Sequence, residues 1–268
     1  MALRFTSEQR LDGDDGVLER RFTLGEIPGI LWTPSPSPSP SPSPSPDSAS
    51  APAPVSESGS VPLVLLGHPP LGLDRMYPRL VARARQAVAD GFAAAAVELP
   101  GSGERPRWAA VEQARADLRR AVEAGGPVGD EIVDALVLPL VDKAVPECRA
   151  ALDALLELPG IGGPVGYSGG VISIGVRLAA VEQRLAAAVL FAGSFVPRAM
   201  FEEARQVKVP LHVLLQWDDE GNDRQAALDL FDAFGSEEKS LHAHMGGHTG
   251  VPQSAGEAAS RFLTRHLK

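Results

Sequence analysis

Three groups of residues in this chain have the types and order needed for nucleophilic chemistry. The first is Gly166-Tyr167-Ser168-Gly169-Gly170, a Gly-x-Ser-x-Gly run. A short strand-like lead-in, Gly163-Pro164-Val165, precedes it, and Val171 to Ala180 can follow as a buried helix. A serine on such a strand-to-helix turn has its hydroxyl pushed into a cleft, and the turn is too crowded for side chains on either side. The helix behind it aims free N–H groups toward charge developing on a substrate oxygen. The second group is the acidic turn Asp218-Asp219-Glu220, after the strand-like run Leu211 to Gln216. A carboxylate there can hold a histidine in one tautomer and stabilise its charged form. Spacing does not fix which acid does so: Asp219 is the first choice, Asp218 the second and Glu220 the third. The third group is His248, placed after Gly246-Gly247 on a loop past the last strand, where a general base can reach a serine on another strand.

These groups need a scaffold, and the hydrophobic pattern supplies one. Residues 17–24 and 27–33 read as an N-terminal hairpin around Gly25-Glu26. Six Ser-Pro pairs then fill 35–46, and the biased stretch 34–59 is expected to be a disordered, solvated insert of polyproline II character. Strands are predicted at 62–66, 92–99, 165–167, 186–192, 209–216 and 240–244. Helices are predicted at 77–90, 142–158, 223–234 and 255–266, and 104–141 reads as a helical lid interrupted at Gly125-Gly126-Pro127 and at Pro139. Strands alternating with helices imply an α/β fold, a mostly parallel sheet with helices on both faces. Ligands bind such sheets at the carboxyl ends of the strands, where Ser168, Asp218, Asp219 and His248 all fall.

The bulk properties narrow the function. The 268 residues suit one α/β domain, 1–268. A net charge of −9 argues against a nucleic-acid partner. The start has no apolar core of signal-peptide length and no stretch is apolar enough to span a membrane, so the expectation is cytoplasmic residence without a membrane partner. The single cysteine, Cys148, rules out an intrachain disulfide and reads as a buried, inert helix residue. His242 and His244 share one face of a strand, but no third metal ligand lies nearby, so neither a metal nor another cofactor is expected.

The residues Leu65-Leu66-Gly67-His68, Glu98-Leu99-Pro100-Gly101-Ser102-Gly103, Gly166 to Gly170, Gln216 to Glu220 and Gly246-Gly247-His248 give 61–268 a resemblance to the α/β-hydrolase fold family, in particular its dienelactone-hydrolase-like branch. Members of that branch are serine hydrolases of esters and lactones, with the chain order Ser…Asp…His. The resemblance implies Ser168 as nucleophile, His248 as general base and acid, Asp219 as the orienting acid, and Gly169 as one oxyanion N–H donor.

One departure stands out. Where the family has glycine after the histidine of this loop, this chain has Pro69-Pro70, and proline has no N–H to donate. Three readings of the second oxyanion donor stay open: the Leu71 N–H after a loop shift, a side chain such as His68 or Tyr77, or chemistry that needs no full oxyanion hole. Trp217, Phe195 and Tyr77 are candidate substrate contacts. Trp108, Leu136, Val137, Leu138 and Met200 are further candidates for an apolar wall, although plain core packing is the commoner role for such residues. The resulting expectation is a serine hydrolase for a small or medium ester, lactone or thioester. A lyase or cyclase using the same Ser/His pair is the alternative favoured by the prolines. A non-catalytic binding protein with the Ser-Pro segment as docking arm is the third reading.

Overall fold

The computed structural model describes residues 1–11, 16–35, 59–126, 128–193 and 195–268, so most of the Ser-Pro insert lies outside the described residues. Among the described residues, nine strands form one sheet in the order β1-β2-β3-β5-β4-β6-β7-β8-β9. The antiparallel side is β1 (Leu3–Arg10), β2 (Val17–Leu24) and β3 (Ile27–Pro34), which pairs with β5 (Ala93–Val97). From β5 onward every pairing is parallel, through β4 (Val61–Gly67), β6 (Ile161–Gly169), β7 (Leu185–Phe191), β8 (Leu211–Gln216) and β9 (Lys239–His244). The predicted hairpin is β2–β3. Strand β1 was not anticipated, because only Leu3 and Phe5 of its eight residues carry the apolar alternation and the rest is exposed.

Two helix layers cover the sheet. On one face, α1 (Leu73–Ala89) and α7 (Gln253–Leu267) pack Leu80, Ala84, Leu263 and Leu267 against Val64, Ala94, Ala96 and Val189. On the other, α3 (Asp130–Leu156), α4 (Ile172–Val181) and α6 (Arg224–Ala233) cover Leu63, Leu65, Val165 and Leu190, with the short α5 (Ala199–Ala204) between them. Helix α2 (Ala109–Glu123) packs on α3. Two boundaries differ from the sequence reading. Helix α1 starts at Leu73 rather than near 77, because the buried Glu98 carboxylate accepts the Leu73 N–H at 2.8 Å and caps the helix from another element. Pro139 does not interrupt the chain: α3 runs 27 residues through Pro139 and Pro146. A proline normally costs a helix about 3 kcal/mol. Here the apolar face from Val133 to Leu155, buried against the sheet, offsets that cost.

The sheet reverses direction of growth at β4. The chain steps from β4 to β5 on one side and then crosses to β6 on the other, and the crevice at their carboxyl ends is where this topology binds ligands. Gly67 and Gly169 are register partners there.

A histidine cluster lies on the far strands. His212 of β8 is buried, its ring 4.3 Å from that of His242 and 5.5 Å from that of Phe262, with Nδ1 2.9 Å from Ser240 Oγ. Burial, and then the neighbouring His242 and His244, push its pKa down to about 4. A buried neutral histidine stays unprotonated while the unfolded chain takes up a proton below about pH 6.5, so stability falls between about 6.5 and 4 and then levels off. The loss amounts to about 2 kcal/mol once solvent screening is allowed for. The melting temperature should therefore decline over that window, and His212→Gln should flatten the decline. An unchanged slope in the variant would place the acid sensitivity elsewhere.

Candidate active site

Ser168 is the penultimate residue of β6, paired with Leu66 of β4 and Val189 of β7. The glycines around it have separate steric reasons. A Cβ on Gly166 would come within 2.8 Å of Leu267 Cδ1, so the Leu267 side chain of α7 would have to shift. Gly170 has φ +79°, and a Cβ there would lie 2.7 Å from both Gly67 Cα and the His68 nitrogen. The Ser168 turn therefore rests directly on the backbone of the loop that follows β4.

Beneath the same turn lies Arg83 of α1. Its Nη1 donates to Gly67 O at 2.8 Å, and its Nη2 donates to Ser168 O and, at 3.2 Å, to Ser168 Oγ. Gly169, at φ +73°, lies close against this guanidinium. Burial lowers the Arg83 pKa to about 10, which leaves it charged at neutral pH. Sequence reasoning missed this residue. The signal was available, since Arg83 sits three residues after Leu80 and four before Ala87, on the stripe of α1 that faces the sheet.

The acid and the histidine come from the next strands. His248 stands on the loop between β9 and α7, its Nδ1 2.7 Å from Asp219 Oδ2. Asp219 Oδ1 accepts the Gly221 N–H at 3.1 Å, and the carboxylate is 2 % exposed. With Nδ1 held as the donor to a carboxylate, Nε2 is the ring's acceptor. The ring meets Phe191, at the end of β7, edge-on at 5.5 Å. The loop is fixed from below by Gln216, whose Nε2 donates to Gly247 O at 3.0 Å. Asp218 is exposed, and its backbone N–H donates to Gly246 O. Among the described residues, the hydrogen bond to Ser168 Oγ comes from Arg83, and none joins it to His248.

The loop after β4 engages each of the donors considered from the sequence. The Leu71 N–H donates to Pro69 O at 2.7 Å, and its side chain is exposed. His68 is buried, with Nδ1 2.9 Å from Pro69 O and Nε2 2.9 Å from Val97 O. The Tyr77 hydroxyl donates to the buried Glu19 of β2 at 2.7 Å, which makes Tyr77 a tie between helix and sheet in place of a substrate contact. Glu19 also accepts from Trp32 Nε1 at 2.7 Å and from Gln9 at 2.9 Å.

A cavity of about 270 Å³ adjoins the Ser168 turn. Its walls are apolar: Trp108 and Val111 from the α2 side, Val137 and Leu140 of α3, Val171 just past the turn, and Phe195. Pro70 also lines it, as do Arg115 and Glu112, which form an ion pair at 2.7 Å. Of the anticipated wall residues, Leu136 also lines it. Met200 is core, and Trp217 lies outside it under the Arg224 guanidinium, 4.4 Å from the ring centroid.

The fold resembles that of solved esterases. Over its whole length the chain is 26% identical to a solved cold-adapted esterase from an Arctic intertidal metagenomic library, covering 100% of both chains with a TM-score of 0.69. The chain has the α/β-hydrolase fold. The chain also superposes on an acetyl xylan esterase from a Paenibacillus species at 14% identity, covering 99% of this chain and 89% of that one with a TM-score of 0.66. A dienelactone hydrolase from Anabaena variabilis matches at 17% identity, covering 98% and 99% with a TM-score of 0.58. These last two likenesses are of fold. No family model matches the chain, and no curated protein matches it by sequence. Among the described residues no group of three or more histidine, cysteine or carboxylate side chains could hold a metal ion, and no helix is long and apolar enough to cross a membrane.

Proposed function

We propose that this chain is a serine hydrolase that cleaves a small or medium carboxylic ester, lactone or thioester through an acyl-enzyme on Ser168. The observation that carries the reading is the 2.7 Å Asp219–His248 pair, set on the same carboxyl edge of the sheet as Ser168. Rotation of the Ser168 side chain toward His248 Nε2 gives the base its proton. Oγ then bonds the substrate carbonyl carbon, and the carbonyl electron pair moves onto oxygen near the Gly169 N–H. Collapse expels the alcohol or thiol, which takes the proton from His248. Water repeats the sequence on the acyl-enzyme and releases the acid.

The adjoining cavity supports an acyl group larger than acetyl. A cavity of about 150 Å³ lined by aliphatic side chains already takes up benzene, and this one is about 270 Å³. In a series of p-nitrophenyl esters, kcat/KM should peak between butyrate and octanoate. Val137→Trp, which fills the cavity, should lower octanoate hydrolysis at least about tenfold while leaving acetate nearly unchanged, since each buried methylene is worth about 0.8 kcal/mol. An equal loss on both substrates would remove the cavity from the substrate path.

The test of the proposed function itself is labelling by a fluorophosphonate probe alongside ester turnover. A second reading, a lyase or cyclase using Ser168 and His248 as acid and base, is favoured by Pro69-Pro70 and by the engaged Leu71 N–H. Folded protein that neither labels nor turns over esters would select it.

A further inference from the structure

The loop after β4 leaves a gap in the oxyanion site. Pro69 and Pro70 carry no N–H, the Leu71 N–H is spent on Pro69 O, and His68 and Tyr77 are both held by other oxygens. A hydrolase with one oxyanion donor removed loses about 100- to 1000-fold in turnover. Some other group must face the developing charge if ester cleavage is efficient. The only cation hydrogen-bonded to the nucleophile among the described residues is Arg83.

We propose that Arg83 is a catalytic residue, the second oxyanion donor in place of the proline-blocked loop; the proposal rests on the serine-hydrolase reading. Its guanidinium is fixed at three oxygens, Gly67 O, Ser168 O and Ser168 Oγ, and none of these is a carboxylate. A half-buried guanidinium held only by carbonyl and hydroxyl dipoles has no ion pair to offset its desolvation. Such a charge is also preorganised to stabilise an anion, because no ion pair has to break first. Gly169 permits the approach: a Cβ at that position would lie 2.9 Å from Nη2. The substrate oxygen that takes up the charge is attached to the same carbon as Ser168 Oγ, so it forms within the neighbourhood of the donor that now touches Oγ. As Ser168 Oγ bonds the carbonyl carbon, the π pair moves to the carbonyl oxygen, the Ser168 proton goes to His248, and an Arg83 N–H turns from Oγ to the new anion. On collapse the pair returns, the leaving-group bond breaks and His248 protonates the leaving oxygen. Arg83 stays protonated throughout.

The experiment is steady-state kinetics on p-nitrophenyl butyrate with Arg83→Ala, Arg83→Met and Arg83→Lys. Fluorophosphonate labelling of the parent protein and melting temperatures are measured in parallel. Arg83→Ala should lose about 100- to 1000-fold in kcat with KM within about threefold. Added guanidinium ion at millimolar concentration should restore at least about tenfold of the loss, and ammonium should not. Arg83→Met keeps the apolar stem and serves if the alanine variant does not fold; it should show the same loss. Arg83→Lys should fall between parent and Arg83→Ala. Turnover within about threefold of the parent in Arg83→Ala or Arg83→Met overturns the proposal. So does a loss that guanidinium cannot restore in a variant of lowered melting temperature, which makes Arg83 a purely structural residue. A parent that does not label at Ser168 sinks the serine-hydrolase reading instead, so the two failures are separable.

Discussion

Ser168→Ala is expected to abolish fluorophosphonate labelling and to reduce p-nitrophenyl butyrate turnover about 10⁴- to 10⁶-fold. His248→Ala should do nearly the same, and the double variant should be no worse than either alone, because nucleophile and base act as one unit. The fold should tolerate both changes. Ser168 ends a strand that Gly166 and Val165 already pack, and the His248 side chain is more than half exposed. Melting temperatures near that of the parent would confirm that the loss is chemical. Turnover that persists in Ser168→Ala would mean that another group attacks the ester, or that water does so directly.

The second large effect separates two adjacent carboxylates. Asp219→Asn should lower kcat about 10⁴-fold, since an amide at Oδ2 can present N–H to His248 Nδ1 and reverse the tautomer, placing the proton on the nitrogen that must accept it. Asp218→Asn should change kcat less than about threefold. The difference is geometric: Asp219 is buried, holds His248 at 2.7 Å and is itself steadied by the Gly221 N–H, whereas Asp218 faces solvent. Rate against pH for both variants provides the check. Equal and small effects would leave His248 without an orienting acid and would count against the whole arrangement.

Much of this architecture was legible in the sequence because it depends on burial. The parallel strands are short apolar runs, and the Gly-x-Ser-x-Gly motif falls between one of them and a helix. What escaped depends on partners that are distant in sequence. Helix α1 begins at Leu73 because a carboxylate 25 residues later caps it. Asp219 is distinguished from Asp218 only by the turn that sends one inward. Strand β1 carries too little apolar alternation to stand out, and its place comes from pairing with β2. Tyr77 read as a pocket aromatic, but the unanticipated buried Glu19 claims its hydroxyl. Arg83 was passed over because arginine in an amphipathic helix usually marks the wet face. Only its position on the sheet-facing stripe contradicts that habit.

Glu19 gives the amino-terminal strands a purpose beyond extending the sheet. Its carboxylate anchors α1 at Tyr77, and burial together with that hydrogen bond raises the tyrosine's pKa to about 12, so the tether stays protonated across the working pH range. Six residues further along the same helix, about 9 Å of rise, Arg83 reaches under the nucleophile. The helix is thus tied to the sheet near its start. The first three strands set the height at which a positive charge meets Ser168, although none of their residues touches the site.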